Sequence, residues 1–501
     1  MTKNRIVPLL LFLGINLLLR QSAFAQKAAS SDKPNIVLIF ADDLGFMDVG
    51  FNGADYYETP HIDKLAKEGM RFTNAYASGA NCAPSRACMI SGLYNPRHGV
   101  FAVAITAKGP TEAMRLAPVP NTTYLKPAFF TMAKALKSGG YTTGQFGKWH
   151  IGDERTKTMP DNHGFDIFKE SDADWKNRKV KATDDPKGIF GITQAACDFI
   201  SANKNKPFFA FVSHHAVHGP HQARPESLEK FKSKKPGKYN KDPMYAACIY
   251  DFDASVGQLL AHLKKEGLDK NTLVVFTSDN GGAQNTIQEP LRGNKGSFYE
   301  GGIREPFIVR WPGHIKAGAV NETPITNIDF YPTFVAAANV KLPANTQLDG
   351  ENLLPLFTGQ KTSTTRDKIF WHFPGYLDRP VIRGRNNDWR TQPVTVMRKG
   401  DYKVMLYHEE WQLDGGWDKR ATNNAVELYN LKADPGEHHN IAASNPAKRD
   451  EMLQDLQAWM KATKAPMATI KTPQQEREMT RATGRANGRK GNKARAADDD
   501  D

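Results

Sequence analysis

The sequence predicts an α/β fold: a large mixed, mostly parallel sheet sandwiched by helices, followed by a smaller C-terminal α+β domain with an antiparallel sheet and a helix. Three observations carry this reading. Short, almost wholly apolar runs alternate with amphipathic helical stretches through most of the chain, and strands apolar on both faces belong in a parallel sheet covered on both sides. After about residue 365 the texture changes to short strands joined by turns such as Lys399-Gly400-Asp401. At 501 residues the chain is also too long for one ordinary core.

The first 25 residues stand apart. Lys3 and Arg5 precede an apolar run over 6–19, and Ala23-Phe24-Ala25 offers a small-x-small cleavage site. This is the pattern of an export leader, cleaved to leave a start near Gln26; the run is too short to span a bilayer comfortably. No cysteine directly follows the run to take a lipid, and no later stretch is long and apolar enough to cross a membrane. The expectation is a periplasmic or secreted protein without a stable membrane anchor.

A buried strand is expected over 34–40, ending abruptly at Asp42-Asp43. Thr59-Pro60 opens a helix with Thr as N-cap and Pro at the first position; Ile62, Leu65 and Ala66 share a face, and Gly69 ends it. Phe129, Met132, Ala133 and Leu136 mark a second helix that stops at Gly139-Gly140, with a strand over 141–146. Ile192, Ala196, Phe199 and Ile200 mark a third helix, followed by a strand over 208–213. Ile249, Phe252, Val256, Leu259, Leu260 and Leu263 mark a long helix ending at Gly267, before a strand over 273–277. In the small domain, strands are expected at 394–398, 402–407 and 426–429. A helix follows, with Asn445 as N-cap, Pro446 at its first position, and Met452, Leu453, Leu456 and Met460 on its apolar face. The expected boundaries are a leader at 1–25, a large domain at 33–364, a small domain at 365–466 and a polar, disordered tail at 467–501.

Composition narrows the function classes. Hydrophobic content of 40% and charged content of 24% are ordinary for a globular protein. Four cysteines in an exported chain make no disulfide scaffold, and leave room for one to be chemical. The formal net charge is +13, and the leader holds Lys3, Arg5 and Arg20 without an acid, so the remainder stays strongly basic. That balance suits an anionic substrate, although solubility alone would also explain it. The basic residues of the tail read as solvated, and no nucleic-acid partner is expected of an exported protein.

Ligands of open α/β sheets bind beyond the carboxyl ends of strands. Four groups fall there: Asp42-Asp43, Gly147-Lys148-Trp149-His150, the histidines His214, His215 and His218, and Asp279-Asn280. Any one could be a turn or a cap, but four on one rim are not expected by chance. Asp42, Asp43, Asp279 and Asn280 are hard oxygen donors, suited to Ca²⁺ or Mg²⁺. The segment from Asn81 to Gly92 reads as a helix whose positive N-terminal end carries Cys82, with Arg86 about one turn on. A soft thiolate is an odd companion for an oxygen-bound cation, whereas an oxygen nucleophile at position 82 makes sense of the group. A Cys82–Cys88 disulfide would leave Pro84-Ser85-Arg86 and both acidic pairs unexplained.

Cys-x-Pro-Ser-Arg at 82–86 with Ser91-Gly92 resembles the signature of the type I formylglycine-dependent sulfatases, an arylsulfatase-like family of the alkaline phosphatase superfamily. The resemblance covers about residues 33–440. It includes Thr59-Pro60-His61-Ile62-Asp63, Gly147-Lys148-Trp149-His150, Ser278-Asp279-Asn280-Gly281, Gly293-Asn294-Lys295-Gly296 and Glu300-Gly301-Gly302. It continues through Asp329-Phe330-Tyr331-Pro332-Thr333, Leu348-Asp349-Gly350, Glu427-Leu428-Tyr429-Asn430-Leu431 and Asp434-Pro435-Gly436-Glu437. Met89 and Ser91 depart from the usual Leu and Thr, both conservatively.

The resemblance implies that a separate formylglycine-generating or sulfatase-maturating enzyme oxidises Cys82 to formylglycine. The hydrate of that residue attacks sulfur, the alcohol leaves, and the second hydroxyl expels sulfate. It further implies that Asp42, Asp43, Asp279 and Asn280 hold Ca²⁺ with residue 82, and that Arg86 holds the hydrate. Lys148 and Lys295 would bind sulfate oxygens, His150 would position or deprotonate the hydrate, and His218 would protonate the leaving oxygen, with His214 and His215 as runners-up. His98, His215 and His372 are candidate substrate contacts, a structural role for His98 and His372 being equally open. The implied substrate is a sulfate ester, expected to be a sulfated carbohydrate attacked from a chain end. The alternatives are a phosphodiesterase or phosphonate monoester hydrolase of the same superfamily, and a non-activated binder of sulfated glycans.

Overall fold

The computed structural model describes residues 33–170, 183–283, 286–475 and 477. The expected leader and the end of the expected tail lie outside these residues. In chain order the first ten strands are β1 (Asn35–Ala41), β2 (Met70–Tyr76), β3 (Leu116–Ala117), β4 (Thr142–Gly147), β5 (Ile167–Lys169), β6 (Phe208–Ser213), β7 (Thr272–Ser278), β8 (Arg304–Arg310), β9 (Ala319–Asn321) and β10 (Ile325–Thr326). The helices between them are α1 (Pro60–Glu68), α2 (Cys82–Ser91), α3 (Met132–Ser138), α4 (Ile189–Ala202), α5 (Pro225–Ser233), α6 (Pro243–Lys265) and α7 (Glu300–Ile303), with α8 (Phe330–Ala337) after them.

Nine strands form one sheet in the order β10-β2-β8-β7-β1-β6-β4-β5, with β9 beside β2. The pairs β1/β6, β1/β7, β4/β6 and β4/β5 are parallel. Strand β8 runs antiparallel to both β2 and β7, which makes the sheet mixed.

Strand β1 shows why the sheet is covered on both faces. Every residue of its Asn-Ile-Val-Leu-Ile-Phe-Ala run is buried. Side chains alternate between faces, so Ile36, Leu38 and Phe40 enter one core while Val37, Ile39 and Ala41 enter the other. The first core is filled from α2, α3 and α8 by Ala87, Ile90, Met132, Leu136, Phe330 and Phe334. The second is filled from α1, α4 and α6 by Ile62, Leu65, Ala196, Ile200, Phe252 and Val256. Helix α1 begins after Thr59 with Pro60 at its first turn, and Asp253 of α6 accepts the backbone N–H groups of His61 and Ile62, fixing its start.

Strands β7, β1, β6 and β4 lie side by side in that order. Their carboxyl ends are level, because Ala41 opposes Ser278, Phe40 opposes Ser213, and Gly147 opposes Ser213. Residues that follow these strands therefore emerge on one rim. Gly147 makes this close fit possible at β4: its φ is +98°, and a Cβ there would lie 1.8 Å from the Ser213 carbonyl oxygen. That same oxygen accepts the Lys148 N–H at 2.7 Å, so the exit of the chain toward Lys148 and His150 depends on a bare backbone at 147.

The smaller sheet is antiparallel, in the order β11 (Lys368–Phe373), β12 (Val394–Lys399), β13 (Tyr402–Tyr407) and β14 (Val426–Asn430). One face, with Met397, Val404, Leu406 and Leu428, packs on Met452, Leu453 and Leu456 of helix α9 (Pro446–Thr463). The other, with Trp371, Val396, Met405 and Tyr429, packs against Tyr76, Phe298, Tyr299 and Ile303 of the larger body. Lys403 lies fully buried at that contact, 3.1 Å from Glu300 and 2.9 Å from Glu437. Beyond 466 the chain remains paired: β15 (Thr469–Ile470) runs antiparallel to β3. The expected start of a disordered tail at 467 is corrected accordingly, because a backbone ladder holds these residues.

Gly147→Ala is expected to lower stability by about 2–4 kcal/mol, since a positive φ and a blocked carbonyl contact both oppose a side chain. Urea unfolding measures this, and an unchanged midpoint would remove the steric argument.

Candidate active site

The rim of the large sheet carries a buried cluster of acids and bases. Asp42 and Asp43 leave β1 with Asp43 in the left-handed region, at φ +64°. Local bonds hold them there. Asp42 exchanges backbone bonds with Ala216 and Val217, Asp43 N–H donates to Asp279 Oδ1 at 3.1 Å, and Leu44 N–H donates to Ser278 Oγ at 3.0 Å. Just beyond, Asp48 accepts from Gly45 N–H, Tyr245 Oη and Gln288 Nε2 and closes the turn.

Cys82 is the first residue of α2 and is fully buried. Its Sγ lies 3.3 Å from Asp42 Oδ1 and 3.7 Å from Asp43 Oδ1. One donor atom from each of Asp42, Asp43, Cys82 and Asp279 falls within 4.8 Å of all the others, a set that could hold a metal ion. Asn280 adds a buried Oδ1 that accepts no hydrogen bond, while its Nδ2 donates to Asp43 Oδ1 at 2.8 Å. Buried carboxylates with an orphaned amide oxygen fit a hard divalent cation.

Three permanent cations face these acids. Lys148 Nζ lies 2.7 Å from Asp42 Oδ2, and Lys295 Nζ lies 2.9 Å from Asp43 Oδ2. Arg86 grips Asp279 Oδ2 through Nε at 3.0 Å and Nη2 at 2.8 Å, and its Nη1 donates to the Lys148 carbonyl and to Ser213 Oγ. Burial alone would raise the Asp42 carboxyl, but Lys148, His218, Arg86 and Lys295 together hold it well below the usual range. Asp43 is likewise lowered against its burial, first by Lys295. Asp279 goes the other way: burial and the neighbouring Asp42 push it up to about 6 despite Arg86. Burial, Asp279 and Asp42 push the Cys82 thiol well above its ordinary value, so a thiolate is disfavoured at this position.

The histidines divide into two groups. His218 Nδ1 is 2.7 Å from the Gly219 carbonyl, which can only accept, so Nδ1 carries the proton and Nε2 faces Asp43 Oδ2 at 3.7 Å. His150 and His215 each have a buried ring nitrogen without a partner, Nδ1 and Nε2 respectively, and both couple to Lys148, Arg86 and Asp42. Burial and Lys148 hold both rings neutral.

His214 turns away instead, with Nε2 2.9 Å from Thr193 Oγ1 and its ring on Phe252. His98 and His372 are corrected as substrate contacts. His98 is buried, with Nδ1 accepting from Val100 N–H and Nε2 beside Cys88 Sγ. His372 is buried with Nδ1 on Thr395 and Nε2 on the Pro466 carbonyl. His372 serves the packing of the small sheet, and His98 fastens the turn that leads to Val100. Cys88 makes no disulfide with Cys82, and all four cysteines are free.

The structure thus brings together Asp42, Asp43, Cys82, Arg86, Lys148, His150, His215, His218, Asp279, Asn280 and Lys295. Sequence reasoning missed Ser213, which orients Arg86 and is readable as the last residue of a strand. It also missed Lys187, whose Nζ lies 3.1 Å from the Gly219 carbonyl and which couples to Asp42 and Lys148. Lys187 lies on a turn with no motif around it, so nothing in the sequence singles it out.

A mixed α/β sheet with a buried oxygen-donor set on its rim, ringed by lysines, arginine and histidines, defines a hydrolase of oxyanion esters. The chain belongs to the sulfatase family, whose model matches residues 34–340, and a second model, N-sulphoglucosamine sulphohydrolase, C-terminal, matches residues 294–465. It is a sulfuric ester hydrolase. It is 32% identical to a sulfatase of Formosa agariphila, covering 88% of this chain and 91% of that one. It is also 32% identical to the N-acetylgalactosamine-6-sulfatase of Mus musculus, covering 80% and 77%. Among solved structures it superposes on Ps i-CgsB in complex with k-i-k-neocarrahexaose, with a TM-score of 0.69 and 29% identity, covering 89% of this chain and 98% of that one.

Millimolar Ca²⁺ or Mg²⁺ is expected to raise the thermal midpoint of the metal-stripped protein by a few degrees, and Asp43→Asn is expected to abolish the response. Differential scanning fluorimetry reads this; an equal response in the variant would place the ion elsewhere.

Proposed function

We propose that this sulfatase is exported and removes sulfate from sulfated carbohydrates, with formylglycine at position 82 and Ca²⁺ in the Asp42, Asp43, Asp279 and Asn280 donor set. The observation that carries the reading is the surroundings of Cys82. It begins a helix inside a group of carboxylates that disfavour its thiolate. An aldehyde hydrate would put a hard oxygen where the neighbours are hard. The carbohydrate part rests on the similarity to a galactosamine sulfatase and to a protein solved with a neocarrahexaose. Export rests on the leader pattern at 1–25. Among the described residues no helix is long and apolar enough to cross a membrane.

Charge accounting explains how such a site takes sulfate. Asp42, Asp43 and Asp279 balance Arg86, Lys148 and Lys295 one for one. A bound Ca²⁺ would supply positive charge in excess of that balance, drawing an oxyanion in and polarising oxygen at position 82. With the acids so engaged, Lys148 and Lys295 would be free to donate to sulfate oxygens, where negative charge grows as the ester bond breaks. Arg86, anchored by Asp279, Ser213 and the Lys148 carbonyl, keeps a fixed guanidinium beside position 82. His150, whose buried Nδ1 has no hydrogen-bond partner, would take a proton from the nucleophile. His218 keeps its Nδ1 proton on Gly219, so a proton carried at Nε2 is the one available to the leaving oxygen. The partner required is an activating enzyme that converts Cys82.

The deciding experiment is the mass of the peptide holding residue 82, taken from protein made in its native host or with an activating enzyme. An aldehyde in place of the thiol, together with sulfate release from an aryl sulfate, is expected. Active protein bearing only intact cysteine would overturn the modification, and faster cleavage of an aryl phosphate would overturn the preference for sulfate. Lys148→Ala and His218→Ala are each expected to lower kcat/KM by roughly 10²–10⁴-fold.

A further inference from the structure

The smaller domain contributes a wall beside the site whose polar groups the sulfate chemistry leaves unassigned. Two of its segments are laced by backbone bonds to each other and to a loop of the larger domain. Tyr376 N–H donates to Thr106 O at 2.7 Å and Lys108 N–H to Tyr376 O at 3.1 Å. Leu377 N–H donates to Thr391 O at 3.0 Å, and Arg390 N–H to Leu377 O at 2.8 Å. The lacing gives the side chains at 378, 389 and 390 a rigid base. Trp389 packs at a tilt on Tyr376, with ring centroids 4.9 Å apart, and Gly109 admits it: a Cβ at 109 would lie 2.5 Å from the Trp389 ring and 3.2 Å from Asp378 Cβ.

Arg390 turns from this base toward the catalytic loop. Its side chain lies directly over Gly296, where a Cβ would fall 2.1 Å from Arg390 Cδ and 3.1 Å from Nη1. Gly296 follows Lys295, the lysine on Asp43, and Arg390 itself interacts with Asp43. Arg390 therefore stands beside the Lys295 loop, within the field of Asp43. It is only 3% exposed, with Asp378 and Asp43 as its acidic neighbours. Asp378, which shares its field, has an Oδ1 shielded from solvent that accepts no hydrogen bond. A buried carboxylate oxygen of this kind asks for a hydroxyl donor. A buried guanidinium gains most from a planar anion that meets its fork.

We propose that Arg390 and Asp378 form the leaving-group subsite, taking a saccharide that bears a second anionic group. Arg390 binds that group, a carboxylate or a further sulfate, and Asp378 accepts from a neighbouring ring hydroxyl. The subsite rests on the carbohydrate reading above and deepens it. It names a substrate doubly anionic around the scissile ester, and it places the discrimination in the smaller domain, away from the residues that meet the sulfate being removed.

The test compares kcat/KM of activated wild type, Arg390→Ala, Arg390→Lys and Asp378→Asn on three kinds of substrate. These are 4-nitrophenyl sulfate, singly sulfated monosaccharides, and matched saccharides with an added carboxylate or second sulfate. Arg390→Ala is expected to fall at least about 10-fold further on the doubly anionic saccharide than on its singly sulfated match, with Arg390→Lys between. Asp378→Asn is expected to fall further on both saccharides than on the aryl sulfate. Thermal midpoints identify any variant that has lost its fold, and the near-isosteric Asp378→Asn then carries the comparison. Equal falls on all three substrates, or a wild type indifferent to the second anion, would overturn the subsite while leaving the sulfatase reading intact. A wild type that cleaves the aryl sulfate and none of the saccharides would overturn the carbohydrate reading and the subsite together.

Discussion

Three carboxylates from two strand ends share one dry pocket, and the cost of that arrangement organises the rest of the structure. Asp42, Asp43 and Asp279 are fully or almost fully buried and lie within a few ångströms of one another. Like charges at such distances out of water are tolerated only when cations answer them. The answering groups come from three places in the chain: Arg86 from the first turns of α2, Lys148 from the exit of β4, and Lys295 from the loop before α7. Each must arrive within hydrogen-bonding distance, so the positions of a helix, a strand end and a loop are fixed by the same need. The level register of β7, β1, β6 and β4 and the bare backbone at Gly147 are what allow it.

The same balance prepares the chemistry. Lys148 and Lys295 each rest on one carboxylate, whereas Arg86 is tied to Asp279, Ser213 and the Lys148 carbonyl. Burial, Asp279 and Asp42 push the Cys82 thiol up, which disfavours a thiolate at this position. His218 is held in one tautomer by the Gly219 carbonyl, which leaves Nε2 as the ring nitrogen that faces the acids.

Much of this was legible in the sequence, for reasons that can be named. Strands β1, β6 and β7 are buried on both faces and read as continuous apolar runs, so their ends, and the polar residues just beyond, could be placed. Strand β2 alternates polar with apolar residues and β8 carries Arg304 and Glu305 at its start, so neither announced itself, and the antiparallel insertion between β2 and β7 came only with the structure. The acids and cations of the buried cluster lie in short dense motifs, so their coming together was readable. The histidines were not equally so. Trp371-His372-Phe373 looks like a recognition cluster, yet strand β11 turns His372 inward onto Thr395 and Pro466. Spacing alone does not say which face of a strand a histidine takes when both faces are covered. Arg390 and Asp378 were silent because they act through loops that only tertiary packing brings to the rim.

The packing of the small sheet on the large body has a consequence for the order in which the protein is made. Arg292, just ahead of the Lys295 loop, donates to Tyr429 Oη and to the Glu437 carbonyl, and the Glu437 carboxylate accepts the N–H that begins α7. Every residue that meets the sulfate in the proposed mechanism has left the ribosome by position 295, but the loop holding the last of them is pinned by residues more than a hundred positions later. During vectorial synthesis the chain therefore carries a full set of reactive groups well before it has a finished pocket. A product truncated ahead of 429 would retain those groups without the brace that the C-terminal sheet supplies.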